Sequence, residues 1–493
     1  MRQPFLGEMM RKPTILIVTE DGFDGSFGAR HFVISRAYGD MVAACGGIPV
    51  VAADIRALDE YAARFDGLLL TGGGRIQPAW YGEIVENFGE LDGYSNTRDD
   101  FDFGLFRRFH AAGKPVLGIG RGAEVINVAL GGTLLKHLPE GIRKGDRTEE
   151  DLGGRLAEIL GDRLETVRDY DTAIAQLAEG LSPEATAETG LVDGFSDASG
   201  KILGVLWHPE RAHEIEDGKG VIPADERIIR AWIEGIKSEE KEGLNVRHHA
   251  GQNPEKPLIL VNGGSALDRQ FLSKAFVTNK TYSEAVAAGG AVPVISASDR
   301  SFSDYADLCD GMILTGSFSF MPDPARRDEV QDVEGKERPK TDEALLDAFV
   351  RVRKPCFGIC LGLQRMNTYF GGTLHPYFKK ESGIEHMMTF HLCEAGEHSV
   401  TRPLFGEEFY INSRHNVKIG VLADSLEATA FSPDGVIEEI RHKELPVWGV
   451  QYHPERMRQE HREPPEGPDM TPLFVWFADV CRENHERQED TER

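Results

Sequence analysis

The stretch Lys354-Pro355-Cys356-Phe357-Gly358-Ile359-Cys360-Leu361-Gly362, followed by Asn367 and Gly371-Gly372-Thr373-Leu374, decides the fold, and the chain contains it twice. The earlier version reads Lys114-Pro115-Val116-Leu117-Gly118-Ile119-Gly120-Arg121-Gly122, followed by Asn127 and Gly131-Gly132-Thr133-Leu134. Equivalent residues stand 240 positions apart from one end of the stretch to the other (354 − 114 and 374 − 134). Gly120 therefore takes the place of Cys360, and only the second copy carries a sulfur there. A Gly-x-nucleophile-x-Gly segment between an apolar run and a helical one predicts a sharp strand-to-helix turn that holds its central residue in a strained backbone conformation. The flanking residues must be small because a side chain there would strike the neighbouring strand and helix. Lys354 to Phe357 predicts the strand, and Leu363 to Phe370 predicts the helix, ending at the Gly-Gly pair. Cys360 then lies at a helix N-terminus, whose dipole favours a thiolate. The N–H of Leu361 is presented to an oxyanion. Cys356, inside the strand, is expected to be a buried structural cysteine.

Working outward, each copy opens on a short apolar run, Thr14 to Val18 and Pro257 to Val261. These runs are too short for helices and too apolar for one-sided strands, so they predict buried parallel strands. Helical stretches follow around Tyr38 to Cys45 and Tyr282 to Ala288. Further strands follow at Asp66 to Gly72 and Asp310 to Gly316. Strands alternating with helices predict an α/β fold in which each copy is a mainly parallel sheet flanked by helices. The expected boundaries are a first domain at 13–237, a linker at 238–256 and a second domain at 257–483. The linker segment is rich in Glu, Lys, His, Asn and Gly, and His248-His249 within it is expected to be solvated. Residues from Glu483 onward are expected to fray. Pro139 to Glu165 is polar and diverges from its counterpart.

The formal charge of −26 argues against nucleic acid or an anionic membrane surface as the main partner. Six cysteines in 493 residues make no disulfide framework. No apolar run reaches the length of a membrane helix, and Met1 to Lys12 lacks a signal-peptide core. A cytoplasmic location is expected.

A cysteine nucleophile needs a base, and the base needs an orienting group. Late in the second copy an apolar run ends in Gln451-Tyr452-His453-Pro454-Glu455. Residues two apart on an extended segment point to one side. His453 and Glu455 are therefore expected to work as a pair, with Glu455 holding the ring and stabilising its cation. The first copy keeps His208-Pro209-Glu210 but has no nucleophile for them to activate.

The Gly-x-Cys-x-Gly turn, the following Gly-Gly-Thr-Leu and the terminal His-Pro-Glu resemble the class I glutamine amidotransferase superfamily. Within it the chain is most similar to the γ-glutamyl-γ-aminobutyrate hydrolase family, whose pattern Gly-Ile-Cys-Arg-Gly-x-Gln-x-x-Asn is matched by Gln364 and Asn367, with Leu361 in place of the arginine. The resemblance implies two tandem amidotransferase-like domains and a triad of Cys360, His453 and Glu455. It also implies an oxyanion loop at Thr315-Gly316-Ser317, in which the Gly316 N–H is the second oxyanion donor beside Leu361. The family's Arg-Asp-x-x-Glu/Asp stretch is kept as Arg98-Asp99 and Asp102 in the first copy. The second has Arg338 and Asp342 with Pro339 between. Asn412-Ser413-Arg414-His415-Asn416 resembles the family's Asn-Ser-x-His-His-Gln loop with one histidine retained, so Gln364 and His415 join the substrate-binding set.

The resemblance implies hydrolysis of a γ-glutamyl amide of a small amine through a glutamyl thioester, the amine being left open among polyamine-derived, aromatic and alkyl amines. Two alternatives stand beside it: a glutaminase subunit supplying ammonia to a separate synthetase, and a non-catalytic protein that binds a glutamyl metabolite. The first copy is expected to be a scaffold, packing against the second as an intrachain pseudo-dimer; a regulatory pocket is its alternative. No metal or organic cofactor is expected. The stretch holding His386, His391 and Cys393 lacks a spacing that would supply four ligands, and Gly194 to Lys201 lacks the Ser or Thr of a phosphate loop.

Overall fold

The computed structural model describes residues 11–24, 29–84, 94–214, 221–241, 256–268, 273–316, 338–376, 384–460 and 465–492. The chain divides into two compact units, one of residues 1–20, 37–50 and 58–247, the other of residues 21–36, 51–57 and 248–493. The units depart from the repeat boundaries, since residues 21–36 and 51–57 from the first copy's sequence belong to the second unit. Within that unit the strand Ala29–Ser35 pairs antiparallel with Ser273–Asn279, which pairs in turn with Gly264–Asp268.

In the first unit the strands Thr14–Ile17, Gly67–Leu70, Val116–Ile119 and Ile202–Val205 pair in parallel, each with the next. Every residue of these four strands is buried. That is the pattern of a sheet covered on both faces and the reason the sequence shows apolar runs without alternation. Antiparallel strands Val192–Asp197, Leu181–Ala187, Arg147–Leu152 and Arg163–Val167 extend the sheet.

The second unit repeats the plan. Val292–Ser296, Leu258–Val261, Gly311–Leu314, Cys356–Ile359 and Val447–Val450 run parallel. Ile437–His442, Leu426–Phe431, Met387–Ala395 and Glu408–Arg414 continue antiparallel. The helix Thr471–Glu492 lays Phe477 against Phe357, ring centroids 5.5 Å apart, and Trp476 against Trp448 at 5.2 Å. These aromatics seal the face of the strand that leads to Cys360.

Two expectations change, and one stretch left open is filled. The helix Arg227–Lys241 runs into the segment taken as linker, and residues 242–255, with His248 and His249, lie outside the described residues. The helix Thr471–Glu492 continues through the stretch expected to fray. The divergent stretch 139–165 holds the strand Arg147–Leu152 and the helix Gly154–Leu160. Its strand hides Thr148 and Glu150 on the inner face, with Thr166 Oγ1 donating to Glu150 at 3.2 Å, so the buried face carries no apolar alternation. Among the described residues no helix is long and apolar enough to cross a membrane.

Candidate active site

The turn after Cys356–Ile359 places Cys360 at φ 53°, ψ −102°, and the helix Leu361–Tyr369 starts at the next residue. Only three described non-glycine residues have positive φ, and Cys360 is one of them. Such a conformation costs about 1–3 kcal/mol and persists where the surroundings over-determine it. Here the Cys360 N–H donates to the Val450 carbonyl at 2.8 Å, and its own carbonyl accepts from the Gln364 N–H at 3.1 Å. The flanking glycines are explained by contact. A Cβ on Gly362 would stand 2.1 Å from the Leu314 carbonyl oxygen, and one on Gly358 would stand 2.7 Å from the Gly362 backbone.

The strand Val447–Val450 carries the base to the same place. His453 Nδ1 lies 2.8 Å from Glu455 Oε1. A Cβ on Gly316 would meet His453 Cε1 at 2.8 Å and Cys360 Cβ at 3.6 Å, so all three residues border one small volume. Burial alone would pull the His453 imidazole down. The Glu455 carboxylate and the Cys360 sulfur outweigh it and raise the ring to about 9. Burial works to raise the Glu455 carboxyl, but His453 and Arg456 hold it below the usual range. Asn412 seats the base: its Oδ1 accepts from the His453 N–H at 2.8 Å, and its Nδ2 donates to the His453 carbonyl at 3.0 Å.

The oxyanion side differs in part from expectation. Leu361 is the first helical residue, so its N–H has no partner within the helix. The Gly316 N–H, expected to be the second donor, instead donates to Tyr282 Oη at 2.9 Å. Ser317 lies outside the described residues. Tyr282 is a site residue that sequence reasoning missed. Its signal was present: Tyr38 and Tyr282 each precede the Thr-Gly glycine by 34 residues, and Tyr38 Oη accepts from Gly72 N–H at 3.0 Å in the same way. Burial, and then the Glu455 carboxylate, push the Tyr282 phenol far up, which keeps it a neutral hydroxyl. Arg338 braces the loop, donating to Thr315 O and Oγ1, both at 2.9 Å.

Gln364 and His415 do not face Cys360 as substrate-binding side chains. Gln364 Nε2 donates to the Val417 carbonyl at 3.1 Å and to Gln451 Oε1 at 3.2 Å. His415 Nδ1 donates to the same carbonyl at 3.0 Å, its Nε2 lies 3.8 Å from Glu438, and burial lowers the ring to about 4. Asn367 has a structural task. Its Nδ2 donates to the carbonyls of Thr373 and Val421 at 3.1 and 3.0 Å, and its Oδ1 accepts from Ala423 N–H at 3.0 Å. A Cβ on Gly372 would stand 2.2 Å from that Oδ1, which accounts for the glycine pair. Asn367→Ala is expected to destabilise the fold by about 2 kcal/mol, because three backbone groups lose their partner. The check is a lower urea midpoint at unchanged slope.

The first unit keeps the frame without the sulfur. Gly120 has φ 56°, ψ −120°, and its N–H donates to Val205 O at 2.8 Å. His208 Nδ1 lies 2.7 Å from Glu210 Oε1. Here Arg121 is buried in ion pairs with Asp99 and Asp102. The second unit has Leu361 and Pro339 at the positions of Arg121 and Asp99 (361 − 121 and 339 − 99 are both 240). Both partners of the Arg121–Asp99 pair have thus been replaced together, which leaves no orphaned charge. The departure at Leu361 is a matched change in packing.

The family model for peptidase C26 matches residues 19–210 and again 263–455, together more than half of the chain. The chain belongs to the peptidase C26 family. A Mycobacterium tuberculosis protein provisionally named a glutamine amidotransferase is 38% identical over 157 residues, which are 29% of this chain and 50% of that protein. This chain thus spans half the length of that relative. Anthranilate synthase component 2 of Azospirillum brasilense is 31% identical over 118 residues, 24% of this chain and 58% of that protein. The crystal structure of a glutamine amidotransferase from Thermotoga maritima aligns with 47% of this chain and 85% of its own, at 15% identity and a TM-score of 0.29. The second copy holds a cysteine on the strand-to-helix turn where the first holds a glycine.

Proposed function

We propose that the second unit hydrolyses the γ-glutamyl amide of a small amine, with the first unit serving as a non-catalytic copy. The observation that carries this reading is His453, backed by Glu455 at 2.8 Å and bordering with Cys360 the same small volume in front of Gly316. Cys360 Sγ attacks the side-chain carbonyl and the C–N bond breaks. The Leu361 N–H stabilises the tetrahedral oxyanion, and His453 Nε2 gives its proton to the departing amine. Water then loses a proton to His453 and adds to the thioester; the C–S bond breaks, glutamate leaves, and Cys360 and His453 again share one proton. Glu455 keeps the reactive nitrogen turned toward the sulfur in both halves.

The test is glutamate release from a panel of γ-glutamyl amides by the purified chain alone. Turnover of one such amide above that of glutamine is expected. A second reading, a glutaminase that feeds a synthetase, is favoured by the likeness to anthranilate synthase component 2. Glutamine hydrolysis that appears only after a synthetase is added would establish it instead. Gly120→Ala separates the copies. Its new Cβ would stand 2.9 Å from His208 Nε2 on a positive-φ residue, so about 1 kcal/mol of stability is lost. Turnover should remain unchanged.

A further inference from the structure

Behind the catalytic histidine, three imidazoles and a carboxylate converge in the second unit. His386 Nδ1, His391 Nε2 and His415 Nε2 lie 3.5, 3.7 and 3.8 Å from Glu438 Oε1. All four side chains are buried, and Glu438 is wholly inaccessible. Neither carboxylate oxygen of Glu438 has a hydrogen-bond partner, nor does His391 Nε2. A buried carboxylate left in that state costs several kcal/mol.

The opposite ring nitrogens show why hydrogen bonds do not answer this. His391 Nδ1 donates to the Leu392 carbonyl at 3.0 Å, and His415 Nδ1 to the Val417 carbonyl at 3.0 Å. His386 Nε2 donates to Asp434 Oδ2 at 3.1 Å. Ser413 Oγ, which donates to the His386 carbonyl at 3.0 Å, stands 3.3 Å from His386 Nδ1. With those protons placed outward, neutral imidazoles turn their lone pairs toward Glu438, so acceptors face acceptors. This outward bond to a carbonyl or carboxylate is how metal-bound histidines are oriented. Bonds of about 2.0–2.2 Å in a tetrahedral site put neighbouring ligand atoms about 3.3–3.6 Å apart; His386 and His391 stand 3.5 and 3.7 Å from Glu438 Oε1, and the ligand atoms of these three residues all lie within 4.8 Å of one another.

The first unit makes the contrast. Asp193 holds the position of Glu438, each offering its carbonyl to the residue just after the adjoining parallel strand (Leu206 and Gln451, both 2.8–2.9 Å). There the carboxylate receives the Tyr170 hydroxyl and faces the Arg168 guanidinium at 3.6 Å. One copy places a tyrosine hydroxyl and an arginine against its buried acid. The other surrounds it with imidazoles.

We propose that His386, His391 and Glu438 bind a divalent transition metal ion of the zinc class, with His415 alongside, in a site separate from the triad. Two imidazole nitrogens and a carboxylate oxygen in a buried setting suit such an ion. The ion joins the segment from His386 through Met387–Ala395, which pairs with Glu408–Arg414, to Ile437–His442. The second of these strands carries Asn412, which seats His453. The site therefore supports the base from behind.

The experiment is elemental analysis of the untagged full chain, followed by chelation and titration with Co²⁺. About one ion per chain is expected, with intense visible bands of tetrahedral Co²⁺ and a fall in Tm on chelation that Zn²⁺ reverses. Glu438→Gln and His391→Asn should abolish the Co²⁺ bands. Because such variants can misfold, the unmodified chain is decisive. If it retains no metal, develops no Co²⁺ spectrum and keeps its Tm in chelator, the cluster is held by protonated imidazoles and the proposal fails.

Discussion

Cys360→Ala is expected to lower kcat/KM for the γ-glutamyl amide by about 10⁶-fold, the loss seen when a triad nucleophile is removed. The residual rate would come from binding and the oxyanion donor. The change deletes one sulfur and keeps Cβ, so the positive-φ turn is preserved and the fold should be nearly unaffected. Four of the other five cysteines are poor substitutes. Burial pushes the thiols of Cys356, Cys393 and Cys481 far up and that of Cys45 to about 11. The measurement is glutamate release, paired with mass spectrometry after exposure to a glutamine-like electrophile. An adduct on Cys360 in the parent and none in the variant is expected. A variant within tenfold of the parent rate would remove Cys360 from the mechanism.

Glu455→Gln is expected to lower kcat by about 10⁴-fold, as replacing a triad carboxylate by its amide does through the wrong imidazole tautomer. The pH profile provides an independent readout. His453 sits at about 9, so the imidazolium that protonates the leaving amine persists up to that pH and activity falls as pH rises through it. Glu455 is among the groups raising that value. Its loss should move the alkaline limb toward lower pH. The stability sign follows: a histidine raised above its unfolded value of about 6.5 stabilises the fold fully below that pH, and the contribution disappears as pH rises through about 9. An alkaline limb that stays in place in the variant would mean that another group sets it.

The catalytic part of the protein was legible because it is encoded in short windows. Glycines two residues either side of Cys360 imply the turn, since only a missing Cβ clears the Leu314 carbonyl and the facing glycine. His453 and Glu455 lie two apart on one extended segment, so their pairing needs no knowledge of the fold. The parallel strands were visible as apolar runs because both faces are covered. By contrast, the Gly316 N–H looked available until Tyr282, 34 residues upstream, proved to hold it. The leucine side chain at 361 had no reading in the sequence; Arg121 in the first copy pairs with Asp99, whose counterpart is Pro339.

The repeat and the α/β plan were readable in the amino-acid sequence alone, as was the choice of Cys360, His453 and Glu455 as candidates, because neighbouring residues and a period of two or 3.6 dictate them. Tertiary structure alone decided that residues 21–36 and 51–57 join the second unit, and that His386, His391, His415 and Glu438 meet. His391 and Glu438 stand on two strands, His386 just before the first of them and His415 just after a third, spread over 52 positions (438 − 386). Strand pairing brings them within 4 Å, and no linear spacing records where antiparallel strands will cross.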